Sequence, residues 1–493
     1  MEFSSLIFLF FFLPFFLLVL FVLGKKARNS FLLVASVIFY IWGEGKFATL
    51  LIISIIVNYI LGFLVDILED NKYRKAIFGV AIAFNIGLLV YFKYTHLILE
   101  SMNIPAVKPI HLPLGISFLT FQALSFIIDI YRRTVKMDKD PFHFGLYMSF
   151  FPKLITGPIH PYHDLRGQVL ADRKVTLEDF ATGVKRFTLG LGKKLLVANT
   201  LAVPANAIFS IPAGDLTASL AWIGIVCYTL QVYFDFSGYT DMAIGVGHMC
   251  GFKLVENFNY PYAANSIKEF WRRWHISLAH WFRDYLFLPI AYSVSRKIVK
   301  PRLLGIKAEN WAYYIAAMIT FVFCGIWHGA NWTFFIWGAY YGLLLVIEHA
   351  HTGRWMKRHL PKPLQIIYCQ FFVMIGWVFF RSINLPYAFS YLKALFGFGT
   401  GNGTWYYPAL YLDNKVIAFF VIAMLGIFPL FPHLNLRFRE KLTTWKAQYS
   451  ASAVDLLDSA SNLLYTGYLM FILFASTMML VSGTYNPFIY FRF

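Results

Sequence analysis

Long apolar runs broken by short polar or basic stretches recur along the whole of this chain. Residues 1–23, 50–68, 76–99, 216–234, 416–430 with their flanks, and 462–481 each approach the roughly 20 apolar residues that a helix needs to cross a lipid core. With the shorter runs counted, the pattern predicts an all-α, polytopic membrane protein of about eleven spanning or near-spanning helices. All of residues 1–493 read as a single membrane-embedded domain, with no internal repeat and no soluble module. Some segments do not fit a simple span. The run at 31–42 is short, the one at 142–155 is interrupted by Pro152 and Lys153, and 183–201 carries basic residues inside a helical pattern. Non-helical backbone at membrane depth is tolerated only where protein buries it or a wet cavity meets it. These segments therefore predict re-entrant or interfacial pieces around a funnel, an architecture that a transporter would share.

Composition closes off the soluble alternative. The chain is 59% hydrophobic and 14% charged, against about 25% charged in ordinary globular proteins, and its mean hydropathy is +0.60. Residues 1–23 lack a basic leading region and a small-residue cleavage site, so they read as a retained first helix and not a secretory signal. Glu2 precedes that helix and Lys25, Lys26 and Arg28 follow it, which places the N-terminus outside and the basic loop in the cytoplasm. The net charge of +18, from 43 basic and 25 acidic residues, gathers at 131–139, 295–302, 354–362 and 437–446. Cytoplasmic loops obeying the same rule account for it. A sharper reading is that some of these clusters also draw in an anionic substrate such as a CoA ester. Nothing suggests nucleic-acid binding. The four cysteines, at 227, 250, 324 and 369, form no CxxC pair and offer neither a metal nor a disulfide framework.

Ionisable groups inside apolar segments are costly and by default mark a site. In CGIWHGANW (324–332) His328 stands between Gly325 and Gly329, with Trp327, Asn331 and Trp332 beside it. The glycines permit a helix break, and an imidazole can take a proton from a hydroxyl and return it to a leaving group. The plainer alternative is a histidine at an interfacial turn flanked by belt tryptophans. Cys324, one turn earlier, is either a packing residue or half of a Cys–His pair. In EFWRRWHISLAHWFRDYLFLP (269–289) Trp271, Trp274, Leu278, Trp281 and Tyr285 form an apolar stripe at helical spacing. Arg272 and Arg283 share a second face, and Arg273, Ser277, His280 and Asp284 a third, where His280 and Asp284 can pair. An amphipathic helix at the cytoplasmic boundary explains most of that stretch, but not His275, which sits on the apolar side. In YFDFSGYTDMAIG (233–245) Asp235 and Asp241 bracket Ser237 and Tyr239 at a glycine-weakened point, which predicts a broken helix or a polar lining, with a structural network favoured over chemistry. No metal-ligand spacing is present.

Taken together and in order, YFDFSGYTDMAIG, ENFNYPYAANSIKEFWRRWHISLAHWFRDYLFLPI, CGIWHGANWTFFIWGAYYG and the terminal PFIYFRF resemble the membrane-bound O-acyltransferase family. The resemblance is closest to the bacterial branch typified by the alginate O-acetyltransferase membrane subunit. It spans nearly the whole chain, most firmly over about 115–380. It implies a funnel- or horseshoe-shaped helical fold in the bacterial inner membrane, with an acyl donor entering from the cytoplasm. It also implies that His328 is the principal catalytic histidine and His275 the second signature position. On that pattern His328 is a general base, or less favourably a transient acyl carrier, in a wet passage joining the two sides of the bilayer. Trp327 and Trp332 would wall the passage, with Asn331, Cys324, Asp235, Ser237, Tyr239 and Asp241 as further lining. Arg272, Arg273 and Arg283 would meet donor phosphates or lipid headgroups. The implied donor is acetyl-CoA or an acyl-carrier thioester, with no bound cofactor and no metal. An extracytoplasmic acetyltransferase partner would complete transfer to a polysaccharide such as alginate. Two other classes fit the apolar pattern: a transporter or flippase for a polysaccharide intermediate, and a non-catalytic scaffold for a synthase.

Overall fold

The computed structural model describes residues 2–68, 71–104, 110–298, 302–448 and 451–483. The PFIYFRF motif, and residues 299–301 of the basic cluster at 295–302, lie outside the described residues. The described chain is helical nearly throughout, interrupted by a small hairpin of Arg302–Leu303 with Ile306–Lys307. Seven described segments are long and apolar enough to cross a membrane, or eight if Asn414–Gly426 and Leu430–Leu442, bent by 59°, form one span. The first of these, Ala27–Ile67, itself consists of two helices, Lys25–Glu44 and Ala48–Ile67, joined by the turn Gly45–Phe47. Apolar side chains face outward, among them Phe11, Phe15, Leu463 and Leu464, while Asp, Lys and His side chains are buried inside. A multi-pass membrane protein shows this inverted arrangement because lipid, not water, is the outer solvent.

Fewer segments reach spanning length than the apolar runs suggest, because several of those runs are buried in protein and need not match the lipid thickness. Ile116–Tyr131 is the clearest case, with nearly every residue buried. The segment at 142–155 does behave as an internal piece. A short helix, Pro141–Ser149, ends at Phe150, and the Phe151–Leu154 turn that follows is wholly buried. The stretch at 183–201 does not. It is part of a helical rod running through Leu177–Gly192, a π-helical turn Lys193–Ala198, and Asn199–Ile208.

That rod lies along the long central helix Ala218–Met249, which is buried over most of its length. Gly183 and Gly190 meet Gly245 and Gly238 in antiparallel register. A Cβ added at Gly190 would come 2.6 Å from the Gly238 carbonyl oxygen, and one at Gly183 2.6 Å from that of Gly245. In lipid, where apolar burial drives helix association weakly, such close backbone approach supplies the packing. The basic residues that made 183–201 look interfacial are the counter-charges of the central helix. Lys194 Nζ lies 2.6 Å from Asp235, with both side chains buried. Arg186 and Lys193 hold Asp241 at 2.7 and 2.6 Å, and Arg186 also reaches Glu256.

Candidate active site

The helix Ala308–His328 ends on the histidine itself. Gly329 then continues in extended backbone, and Asn331 caps the next helix, Trp332–Ile347, by accepting from the Thr333 amide at 3.0 Å. Asn331 also donates to the Ile383 carbonyl at 2.9 Å, so its role is to shape the turn. The two helices close against each other at Gly325 and Gly338, where a Cβ on Gly325 would fall 3.0 Å from the Gly338 Cα. The break expected from the two glycines is therefore present, and it leaves His328 only 5% exposed. Its ring stands edge-on to Trp327, Trp337 and Phe380, with centroids 4.7, 5.1 and 5.2 Å away.

Three carbonyls at this helix end are bonded from the neighbouring helix Arg74–Ser101. Lys93 Nζ donates to the Trp327 and His328 oxygens at 2.5 and 2.9 Å, and the Tyr94 hydroxyl donates to Ile326 at 2.5 Å. Beside them is a cavity of about 100 Å³ lined by Lys93, the 112–118 segment, Ile155, Thr156, Trp327 and His328. Its wall is fastened to the C-terminal end of Lys25–Glu44, since the Tyr40 hydroxyl donates to Leu114 at 2.8 Å and the neighbouring His111 lies 3.0 Å from Glu44. The cavity meets the start of Ile116–Tyr131, whose far end leads into the basic cluster at 131–139.

His275 reaches the same centre by another route. The stretch at 269–289 is not one amphipathic helix: Ile267–Arg273 stops, Trp274 is extended, and Ile276–Phe282 starts again. Between them His275 adopts a left-handed backbone, φ 44° and ψ 54°, rare for a residue with a side chain and costing roughly 1–2 kcal/mol. Asn257 forces the break. Its carbonyl accepts from the Ile276 amide and its side chain from the Ser277 amide, each at 3.0 Å, while the Asn259 amide donates to Arg273 at 3.0 Å. The Ser277 hydroxyl accepts from the Ile159 amide at 2.9 Å, fixing the restart of the helix. His275 is 1% exposed and stands edge-on to Phe236 on the central helix at 4.6 Å. Its neighbour Trp274 lies 5.0 Å from Trp377, which in turn packs 5.4 Å from Phe380, one of the rings around His328, so both breaks open on one aromatic cluster. Strained backbone that the surroundings over-determine is characteristic of functional positions.

The remaining candidate residues divide. Trp327 lines the cavity and stacks on Phe121 at 4.9 Å. Trp332 does not: it is 58% exposed at the first turn of its helix and packs on Phe335, so it belongs to the boundary. Cys324 is buried in the apolar core, and all four cysteines are free thiols. Asp235 and Asp241 are carboxylates of the ion-paired seam on an unbroken helix, correcting the broken-helix expectation. Gly238 serves close packing there, and Ser237 and Tyr239 are buried beside it, with Tyr239 stacked on Phe3 at 4.9 Å. Arg273 pairs with Glu269 at 2.5 Å. Asp284 is held through both oxygens by Arg283, at 2.7 and 2.9 Å, instead of facing His280. Arg272 is exposed. Among the described residues no group of three or more His, Cys, Asp or Glu side chains is arranged to hold a metal ion. Lys93, Tyr94 and Asn257 were not singled out from the sequence. Lys93 had a usable signal, an ammonium inside the apolar run at 76–99.

An all-α, multi-pass membrane protein with one buried imidazole at a small cavity and a second at a nearby helix break has the makings of an integral membrane enzyme. Residues 137–390 match the membrane-bound O-acyltransferase family. The chain is 36% identical to the probable alginate O-acetylase of Azotobacter vinelandii, with 100% of both chains covered. It is 39% identical to that of Pseudomonas aeruginosa, covering 87% of this chain and 82% of the relative. It is 33% identical to the peptidoglycan O-acetyltransferase of Helicobacter pylori, covering 80% of each. The chain belongs to the membrane-bound O-acyltransferase family and is an acyltransferase. That sets aside the transporter and scaffold alternatives.

Proposed function

We propose that this protein moves an acetyl group from a cytosolic thioester, acetyl-CoA or an acylated carrier, to a hydroxyl on the other side of a bacterial inner membrane. The acceptor is an extracytoplasmic polysaccharide, with alginate favoured by the names of the relatives that match along most of their length. A separate extracytoplasmic transferase receives or completes the transfer. The observation that carries this reading is the convergence of His275 and His328 from two separate helix breaks.

In this reading the acceptor oxygen attacks the thioester carbonyl, forming a C–O bond as the C–S bond breaks. His328 takes the hydroxyl proton and returns it to the leaving thiolate, a general-base role worth about 10²–10⁴-fold in rate. His275 orients or polarises the carbonyl as negative charge develops on its oxygen. The ring of aromatic side chains excludes bulk water, which favours transfer over hydrolysis. Arg272, exposed near His275 in sequence, stands to meet donor phosphates or lipid headgroups.

Purified protein supplied with labelled acetyl-CoA tests this, with His328→Ala and His275→Ala assayed alongside. Thiol release and label transfer are expected from the native protein. His328→Ala, folded as judged by melting and elution in detergent, should lose activity by about 10²-fold or more. Undiminished turnover in both variants rejects the assigned chemistry.

A further inference from the structure

We infer that Lys93, with Tyr94 beside it, is the positioning residue for His328. The pair clamps the carbonyls that end the histidine helix and so sets where the imidazole stands at its cavity. The inference rests on the reading of His328 as the base.

The last carbonyls of any helix lack intrahelical partners and carry the negative end of its dipole. Here the chain leaves the helix through extended Gly329, so those oxygens must be satisfied from elsewhere. At membrane depth an unsatisfied carbonyl costs several kcal/mol. Three consecutive oxygens, of Ile326, Trp327 and His328, are met by two consecutive side chains of the adjacent helix. Lys93 shows no carboxylate partner among the described residues, so two carbonyls and the helix dipole take the place of one. Its ammonium also lies 5.6 Å from the centre of the Trp327 ring. Because Lys93 lines the same cavity as His328, one side chain ties the backbone of the base to the wall of the space it serves.

A clamp on the base's own backbone acts on the chemical step and leaves donor binding alone. Misplacing a reacting group by 1 Å can cost on the order of 10²-fold. Lys93→Met should therefore lower kcat for thiol release from acetyl-CoA by about 10- to 100-fold, with KM for acetyl-CoA within about twofold of native. Lys93→Arg should recover most of the loss, because a guanidinium presents parallel N–H groups to two adjacent carbonyls. Tyr94→Phe, which removes one hydroxyl, should show the same pattern at smaller size. If Lys93→Met fails to fold, Tyr94→Phe carries the test. A folded variant with native kcat overturns the inference, as does a loss that lies in KM or one that arginine does not relieve. His328→Ala in the same assay separates the two levels. Its inactivity beside a native Lys93→Met rejects the clamp alone, and its full activity rejects the base and the clamp together.

Discussion

Two buried polar regions lie side by side in this protein and are built on opposite principles. On the seam between Leu177–Ala198 and the central helix, carboxylates are matched to cations: Asp235 to Lys194, Asp241 to Arg186 and Lys193. Charges there hold helices together. At the histidine centre the bonds that shape the two helix breaks go to backbone, through Asn257 on one side and Lys93 and Tyr94 on the other, and the imidazoles stand edge-on to aromatic rings. Polar residues at the seam secure the fold, whereas those at the centre aim a ring. A polar residue in a membrane segment thus marks either structure or chemistry, and what it bonds to decides which.

The sharpest way to break this contrast is at the seam. Lys194→Met alone leaves a buried carboxylate without its cation and should cost about 3–5 kcal/mol, read as a large fall in melting temperature. Lys194→Met combined with Asp235→Leu should regain most of that and keep acyl transfer. Loss of transfer in a well-folded double variant would move Asp235 into the chemistry. Gly338→Ala, which forces a Cβ against the Phe321 carbonyl, should cost about 1–3 kcal/mol and lower transfer by disturbing the His328 turn. At His275 the backbone and the ring separate. His275→Gly should be about 1 kcal/mol more stable than His275→Ala, because glycine accepts the left-handed conformation, yet both should lack transfer. An active His275→Gly would reduce that position to a turn.

The smallest effect lies on the short helix Tyr162–Leu170. A hydrogen bond from His163 to Asp129, 2.8 Å long, is the main cause raising the His163 pKa above its ordinary 6.5. The folded state binds that proton more tightly than the unfolded one. The extra stability is therefore complete below 6.5 and is lost as pH rises through the folded value. A melting temperature that declines over that range in native protein, and less so in His163→Gln, checks the sign.

The architecture and one catalytic candidate were legible in the sequence because both have local causes. Apolar length marks spans, and Gly325, Gly329 and Asn331 mark the break at His328. The misread elements share a different cause, in partners distant along the chain. Gly238 looked like a weak point in its helix, yet it is needed for contact with Gly190, and the lysines at 193 and 194 looked interfacial until set against Asp241 and Asp235. The tryptophan stripe at 271–285 fits an unbroken helix. The break at His275 depends on Asn257, whose bonds reach 19 and 20 residues along the chain to the Ile276 and Ser277 amides. Lys93 went unnoticed because its run was long enough to pass as an ordinary span.

The glycine contacts between Leu177–Gly192 and the central helix carry a mechanical consequence. Where two backbones touch with only hydrogen atoms between them, a slide of one residue drives a side chain into a carbonyl, so this pair has no small gliding motion available. It acts as a keel. Any movement that opens the protein to an acceptor would therefore carry these two helices together as one body.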